Sequence, residues 1–248
     1  MKSFGLTDKG KVRKDNQDCF IIESCPVRSC LIAALCDGMG GENAGEIASA
    51  VANKAFVSYI YDRLTSRTIK NVNYEEVVTN ACAEANGVAY EYSLFDKTYS
   101  GMGTTLVGGV IKSGGNGYII NVGDSRAYHI SKRANSIYQI TRDHSLVEEL
   151  VEAGAITKEQ ARLHPQKNVI TRALGSEAEV RPDYFEFTLQ PGDILLLCSD
   201  GLSNMVTDLE MLEYAKEYQD PELICRALMS KALIRGARDN VTVVAVMR

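Results

Sequence analysis

The sequence predicts an α+β fold in which antiparallel β-sheets are covered by helices. Short apolar runs dominate the chain, and most neighbouring runs are joined by short turns, which favours antiparallel pairing. The helical patterns are grouped near the front and near the end instead of alternating with the strands. The composition, 45% hydrophobic and 24% charged over 248 residues, is that of a globular chain long enough to bury a sizeable core.

Nine apolar runs have the length and residue types of strands. A glycine-rich stretch, Gly-Gly-Asn-Gly at 114–117, lies between two of them. It predicts a hairpin turn, because glycine accepts the backbone conformations that tight turns need. The runs span residues 19–23, 31–36, 105–111, 118–122, 127–130, 137–140, 184–189, 194–198 and 241–247.

Four longer patterns predict helices, two near the front of the chain and two near its end. A capping-box pattern, Thr207 with Glu210, marks the start of the third helix. The four patterns span residues 44–64, 74–94, 208–218 and 221–233.

Residues 143–181 interrupt the series of strands. Two short helices, 145–153 and 157–163, are each predicted by a capping box at their start, and a His-Pro pair ends the second. We therefore expect one domain over residues 1–248, from which this segment projects as a small subdomain.

The composition disfavours several classes of function. The net charge of -5 gives no electrostatic support to a nucleic-acid partner or an anionic membrane surface. The first residues lack the apolar region of a secretory signal, and no apolar run reaches the ~18 residues of a membrane span. The seven cysteines form no C-x-x-C pair, and Cys36, Cys82 and Cys198 fall in apolar or helical segments. We therefore expect reduced thiols in a cytoplasmic protein.

Aspartates recur where the predicted strands start or stop. Turn chemistry explains any one of them, since Asp and Gly are both favoured in turns. As a set they indicate more, because buried strands can bring their ends together at one rim of a sheet pair. Clustered carboxylates then repel one another unless a cation neutralises them. The five are Asp18, Asp37, Asp124, Asp200 and Asp239.

Oxygen ligands without a nearby His or Cys favour a hard cation, Mg²⁺ or Mn²⁺. The glycines around Gly38 would let backbone and water approach such an ion, and the Gly38 carbonyl is itself a candidate ligand. Two ions of this kind can activate a water molecule and clamp a phosphoryl group for in-line displacement. Arg13 is the best candidate to bind the anionic substrate; the alternative is a solvated residue in the basic run 9–14.

Other site motifs are missing from the sequence. His129, His144 and His164 are far apart and show no ligand spacing, so a structural role is the favoured interpretation for each. No dinucleotide loop, P-loop, calcium loop or G-x-S-x-G nucleophile elbow occurs.

Eight motifs together make the chain resemble the metal-dependent serine/threonine protein phosphatases of type 2C, in their compact bacterial form. They follow the order and approximate spacing of that family over nearly the whole length. The motifs are RKDNQD (13–18), CDGMGGENAGE (36–46), GMGTT (101–105), NVGDSRAY (121–128), TRDHS (141–145), VITRALG (169–175), LLLCSDGLSN (195–204) and RDNVTVV (238–244).

The resemblance implies a four-layer αββα sandwich, two antiparallel sheets flanked by helix pairs, with a binuclear Mn²⁺ or Mg²⁺ centre at one end. By position in the motifs, Asp37 would bridge both ions and Gly38 would contribute its carbonyl oxygen. Asp200 and Asp239 would complete one site, and Asp18 would support the other, partly through water.

The resemblance also implies an activity. Arg13 would bind the substrate phosphate, and a metal-bridged hydroxide would attack phosphorus directly on phosphoserine or phosphothreonine of a protein. Segment 143–181 would be the family's flap, which affects substrate choice. The substrates would be targets of a bacterial kinase of the eukaryotic type, or one dedicated regulatory protein.

Two positions depart from patterns found in the family. Met39 replaces a His that some members carry as the proposed acid for the leaving oxygen. Asn204 replaces an Asp at which a third metal can bind. Asp124 with Asp200 would then hold only a weaker third ion.

Two other functions are alternatives. A catalytically inactive phosphatase fold that serves as a binding module should have lost metal carboxylates, yet Asp37, Asp200 and Asp239 are all present. A metal-dependent phosphodiesterase or nuclease is disfavoured by the net acidity. With no added domain to suggest a partner interface, a monomer is the expectation.

Overall fold

The computed structural model of the chain describes residues 1–41, 44–68, 71–95 and 97–248. Its strands are β1 (Lys2–Asp8), β2 (Asp18–Cys25), β3 (Cys30–Met39), β4 (Gly103–Thr104), β5 (Leu106–Lys112), β6 (Asn116–Val122), β7 (Arg126–Ser131), β8 (Ser136–Gln139), β9 (Asp183–Thr188), β10 (Ile194–Cys198) and β11 (Val241–Met247). Its α-helices are α1 (Ala44–Thr65), α2 (Tyr74–Phe95), α3 (Leu146–Glu152), α4 (Lys158–Leu163), α5 (Asp200–Ser203), α6 (Asp208–Glu217) and α7 (Pro221–Ile234).

The strands form two antiparallel sheets. One has the order β1-β11-β10-β7-β8. The other has the order β2-β3-β5-β6-β9, with the short β4 paired to the end of β3. The predicted hairpin joins β5 and β6, where Gly115 has φ +96° and its N–H donates to the Lys112 carbonyl.

Successive side chains of each strand point to opposite faces of its sheet, and this arrangement produces four layers. In β3, Ile32 and Ala34 pack against α1 and α2, whereas Leu31 and Leu35 face the other sheet. In β10, Leu196 packs against α6 and α7 and its neighbours face inward. The two sheets thus enclose one apolar layer and each carries a helix pair, which confirms the predicted αββα sandwich.

The structure corrects several predicted boundaries. The strand β3 continues through Met39, so Asp37 and Gly38 lie within a strand and not in the loop after it. Strand β1 was not predicted, because its half-buried sequence KSFGLTD has only a weak alternation of apolar residues. The two-residue β4 and the four-residue α5 are too short to give a periodic pattern.

Segment 143–181 contains α3 and α4, near the predicted positions, and no named strand among its residues. One isolated β-bridge, between Ser145 and Ile170, lies within the segment. A second, between Thr104 and Leu174, links the segment to β4. In the described part of the chain, no helix is both long and apolar enough to cross a membrane.

Candidate metal centre

The apolar layer between the sheets ends in polar side chains at one rim. Asp37 continues the inward-facing series of β3, and Asp18 continues that of β2 directly opposite it. From the other sheet, Ser199 and Thr242 continue the inward series of β10 and β11. The alternation of side chains that buries the core therefore also places these four side chains at the same rim.

The backbone of Asp37 is fixed on both sides. Its N–H donates to Thr105 Oγ1 (2.9 Å), and its carbonyl accepts from Thr105 N–H (2.9 Å) and Thr104 Oγ1 (2.9 Å). The carboxylate is thereby left to project into the rim, where part of its surface remains accessible.

Gly38 is held where a side chain cannot fit. Its N–H donates to the Gln17 carbonyl (3.0 Å), and an added Cβ would collide with the backbone carbonyl of Gly45 at the start of α1. Close backbone approach explains the glycine at this position. The motif residues Glu42 and Asn43 lie outside the described residues.

Asp18 has one satisfied and one unsatisfied oxygen. Ser199 Oγ (2.8 Å) and Thr242 Oγ1 (2.7 Å) both donate to its Oδ2. Its Oδ1 is buried and has no hydrogen-bond partner among the described residues. A buried carboxylate oxygen without a partner is costly, and it fits a site that accepts a ligand such as a cation or its water.

Asp200 and Asp239 come from neighbouring strands of the five-stranded sheet. Asp200 is the first residue of α5, directly after β10, and Asn204 Nδ2 donates to its Oδ2 (3.0 Å). Asp239 precedes β11, and Arg13 Nη2 donates to its Oδ2 (2.8 Å). Asp124 follows β6 of the other sheet.

These carboxyls shift one another's pKa. Burial first, and then Asp18, Asp200, Asp124 and Asp239, hold the pKa of Asp37 well above its usual range. Burial raises the pKa of Asp18 to about 6, although Thr242 and Ser199 counteract it. Burial with Asp239 and Asp18 raises the pKa of Asp200 to about 6. Burial with Asp200 and Asp143 raises the pKa of Asp124 to about 8. All five predicted aspartates are therefore electrostatically coupled.

Arg13 lies at the edge of the aspartate cluster. The hydrogen bond to Asp239 raises its pKa, burial opposes that shift, and Asp37 and Asp200 add to it through space. Its side chain is 53% exposed, so it is accessible to an anion in solvent.

The oxygen-only cluster fits a hard divalent cation. Among the described residues, no three His, Cys, Asp or Glu side chains surround one point as a complete ligand set. An ion here would therefore need water and backbone carbonyls in addition to the carboxylates. That is the usual coordination of Mg²⁺, which retains several waters.

Sequence reasoning missed the residues that support the cluster. Ser199 and Thr242 bind Asp18, and Thr105 fixes Asp37. Asn240 orders the loop that carries Arg13, because its Nδ2 donates to the carbonyls of Lys9 and Asp15 (both 2.9 Å). The available signal was their position inside the quoted motifs GMGTT, LLLCSDGLSN and RDNVTVV.

Two grooves flank segment 143–181 beside the cluster. One, of about 730 Å³, runs between the segment and the α5–α6 region and is lined in part by Asp124 and Asp200. The other, of about 670 Å³, includes Met39 and Arg172. Lys167 of the segment donates to Asn204 Oδ1 (3.1 Å). The segment thus borders the approach to the carboxylates on two sides.

Comparison with known proteins places this geometry in one family. The family model of protein phosphatase 2C matches residues 9–233. The chain is 38% identical over 243 residues to a serine/threonine phosphatase, Stp, of Listeria monocytogenes, which covers 98% of this chain and 94% of the relative. It is 35% identical over 246 residues to the protein phosphatase PhpP of Streptococcus pneumoniae, covering 97% of this chain and 95% of the relative.

Solved structures agree with these relatives. The serine/threonine phosphatase Stp1 of Staphylococcus aureus superposes with a TM-score of 0.90 at 36% identity, covering 99% of this chain and 94% of that one. The catalytic domain of the phosphatase PstP in complex with 2 manganese ions superposes with a TM-score of 0.82 at 32% identity, covering 98% and 96%. The chain therefore belongs to the protein phosphatase 2C family of metal-dependent serine/threonine phosphatases.

Proposed function

We propose that this chain hydrolyses phosphoserine and phosphothreonine on proteins at a centre of two Mn²⁺ or Mg²⁺ ions. Asp37 would contact both ions, with the Gly38 carbonyl, Asp200 and Asp239 as further ligands and Asp18 as support. The observation that carries the proposal is the convergence of these carboxylates with the buried Oδ1 of Asp18, which has no hydrogen-bond partner in the part of the chain that the structure describes.

The bound ions would activate a water molecule as nucleophile and stabilise charge on the phosphoryl oxygens. The chain's own residues would hold the reactants. Arg13 would turn from Asp239 toward the substrate and donate to its phosphate oxygens, because a guanidinium matches that geometry. The hydroxyls of Ser199 and Thr242 would keep Asp18 oriented and ionised.

The leaving oxygen of the substrate needs a proton that Met39 cannot supply, since a thioether carries none. A third, weaker ion at Asp124 and Asp200 is part of the proposal. Asn204 donates to Asp200 where an aspartate would add a negative charge, which supports lower affinity at that position.

The cellular setting is also proposed. The substrates would be targets of a eukaryotic-like serine/threonine kinase in the cytoplasm, where the enzyme would take part in signal transduction. We propose a monomer with a single domain over residues 1–248, whose segment 143–181 influences substrate choice. The two grooves beside the carboxylates support that role.

The direct test is phosphate release from a phosphothreonine peptide, with Mn²⁺, with Mg²⁺ and with excess EDTA. We expect metal-dependent release that the Asp37→Asn variant reduces by at least about 1,000-fold, as expected when a group that touches the reacting centre is lost. A bis(p-nitrophenyl) phosphate assay covers the diesterase alternative and should show much weaker turnover.

A folded wild-type protein that releases no phosphate with either ion would contradict the proposal. Turnover of the diester above that of the phosphopeptide would favour the nuclease class. The inactive binding module is unsupported, because the matched relatives are named as phosphatases.

A further inference from the structure

His144 lies where segment 143–181 leaves the body of the protein, and it is 4% exposed. The Gly123 N–H donates to its ring Nδ1 (3.1 Å), and the backbone N–H of His144 donates to the Gly123 carbonyl (2.9 Å). Its ring Nε2 lies 3.2 Å from Asp183 Oδ2. One side chain thus joins the turn after β6 to the first residue of β9.

The two ring nitrogens have different roles. Because Nδ1 accepts from Gly123, a neutral ring carries its proton on Nε2, which then donates to Asp183. Burial lowers the pKa of His144, which favours this neutral form. A substitution at position 144 can therefore restore the contact with Gly123 without restoring the contact with Asp183.

Both ends of segment 143–181 meet at this histidine. The Thr171 N–H donates to the His144 carbonyl (2.8 Å). The Arg172 guanidinium donates to Asp183 Oδ1 (3.0 Å) and to the Arg181 carbonyl (3.3 Å). The outgoing and returning ends of the segment are therefore held together at this point by hydrogen bonds.

Asp143, the residue before His144, binds the segment to the five-stranded sheet. Asp143 accepts from Arg126 Nη2 (2.6 Å) and from Arg126 Nε (3.0 Å), and Arg126 is the first residue of β7. Gln139 Nε2 also donates to Asp143 (2.7 Å). Two consecutive side chains, Asp143 and His144, thus bind to opposite sheets of the sandwich.

The turn that His144 holds is connected to the carboxylate cluster. Gly123 has φ +101° and directly precedes Asp124. Two residues later, Ser125 Oγ lies 2.7 Å from Thr105 Oγ1, which accepts from the Asp37 N–H. A path therefore runs from His144 to Asp37 through hydrogen bonds at Gly123 and Ser125 and the covalent backbone of residues 123–125 between them.

We propose that His144 is a positioning residue that fixes the Gly123–Asp124 turn and the root of segment 143–181 relative to each other. The groove between this segment and the α5–α6 region would then keep its shape beside Asp124 and Asp200 when a phosphoprotein binds. The inference rests on the proposed phosphatase function for its kinetic readout and on the hydrogen bonds alone for its structural readout.

The test compares His144→Ala with His144→Asn and with His129→Ala. His129 is a matched control, because it is also a buried histidine bonded to an aspartate, Asp193 (2.7 Å), but lies at the opposite end of the sandwich. Three quantities are measured: kcat and KM on a phosphothreonine peptide, the same on p-nitrophenyl phosphate, and hydrogen–deuterium exchange of the metal-free protein.

For His144→Ala we expect KM on the peptide to rise about 10-fold, with a smaller change on p-nitrophenyl phosphate, which has no flanking residues to fill the groove. Exchange should accelerate at residues 121–125 and 144–146. His144→Asn places an acceptor near the Nδ1 position and should return exchange at 121–125 to within about 3-fold of wild type. His129→Ala should lower thermal stability without either effect.

Equal kinetics and exchange in His144→Ala and His129→Ala would overturn the inference. If His144→Ala fails to fold, Asp183→Ala keeps both Gly123 bonds and removes the carboxylate beside Nε2, which leaves Arg172 Nη1 (3.2 Å) as the neighbour of that nitrogen. This variant should raise the peptide KM and leave exchange at 121–125 unchanged, and an unchanged KM would overturn the inference. An inactive wild type would contradict the phosphatase proposal alone, because exchange still reports on His144.

Discussion

The two ends of the inter-sheet layer treat their buried polar groups differently. At one end, Asp18 and Asp37 face each other across β2 and β3, and one oxygen of Asp18 has no hydrogen-bond partner within the described ranges. At the other end, His129 bonds to Asp193 through Nε2 and to Tyr138 through Nδ1, both at 2.7 Å. The same sheets thus support one unsatisfied and one satisfied polar cluster.

This difference separates function from stability. A carboxylate with a histidine partner and a backbone donor, as Asp193 has at its Oδ2, stabilises the fold. Carboxylates that raise one another's pKa destabilise the metal-free fold, and a bound cation relieves this repulsion. The activity of the protein phosphatase 2C family depends on such bound metal.

The largest expected effect comes from removing one charge at each end. Asp200→Asn should lower kcat on a phosphothreonine peptide by at least about 1,000-fold while leaving the metal-free protein as stable as wild type or more so, because repulsion is relieved. Asp193→Asn should keep kcat within about 2-fold and cost about 1–3 kcal/mol of unfolding free energy, because His129 loses a charged partner. Activity assays and urea unfolding in EDTA measure both.

Two outcomes would contradict the assignment of catalysis to Asp200 and of stability to Asp193. A stable, fully active Asp200→Asn would remove Asp200 from the site. An inactive Asp193→Asn with normal stability would show that the far end also takes part in catalysis.

Much of this architecture was predictable from local pattern. Apolar runs located the central strands, because a strand covered on both faces needs apolar residues throughout. The aspartates at the strand ends predicted one rim, and the electrostatic coupling of all five agrees with that prediction. Strand β1 escaped prediction, because an edge strand with half-buried residues carries little pattern.

The remaining features depend on the fold. The roles of Ser199 and Thr242 follow from alternation along β10 and β11 and from the meeting of two sheets, which no short window of sequence contains. Asp37 falls inside β3 because Thr104 pairs with Gly38 across a gap of more than 60 residues. His144 was assigned a structural role, but its partners Gly123 and Asp183 were not foreseeable.

The second prediction is that metal stabilises the protein only through the end of the inter-sheet layer that holds Asp18 and Asp37. At an Mn²⁺ concentration of 100 times its dissociation constant, wild type should gain about 2.7 kcal/mol per bound ion over the EDTA sample. Asp200→Asn should lose the part of that gain that comes from the ion Asp200 would hold, and Asp193→Asn should keep all of it. Thermal unfolding over a series of Mn²⁺ concentrations measures the gain, and an equal gain in both variants would place the ions elsewhere.

The third prediction concerns Arg13, whose guanidinium donates a hydrogen bond to Asp239. Arg13→Ala should lower kcat/KM about 10- to 100-fold, mainly through KM, because one charge-assisted contact to phosphate is lost. Arg13→Lys is the control and should recover part of the loss, since a lysine keeps the charge without the planar donor pair. A kcat/KM for Arg13→Ala within 2-fold of wild type would show that Arg13 is only a solvated residue.

The smallest effect is a pH dependence of opposite sign at the two ends. Asp18 and Asp200 have pKa values of about 6 when folded, above the unfolded value of about 4, so the folded state binds more protons between these pH values. Metal-free stability attributable to them should therefore rise as the pH falls from 8 to 5. The pKa of Asp193 is lowered, since backbone and His129 hydrogen bonds outweigh its burial. Its contribution is present above the unfolded value and is lost in stronger acid.

Differences between variants isolate each end from other titrating groups such as His144. In EDTA, wild type should gain on the order of 1 kcal/mol relative to Asp18→Asn between pH 8 and pH 5, because only wild type can take up the proton. Wild type should lose its advantage over Asp193→Asn below about pH 4. With saturating Mn²⁺ the first trend should reverse, because ions and protons compete for the same carboxylates. A wild type that loses stability relative to Asp18→Asn on acidification in EDTA would mean that the aspartates do not repel one another in the metal-free fold.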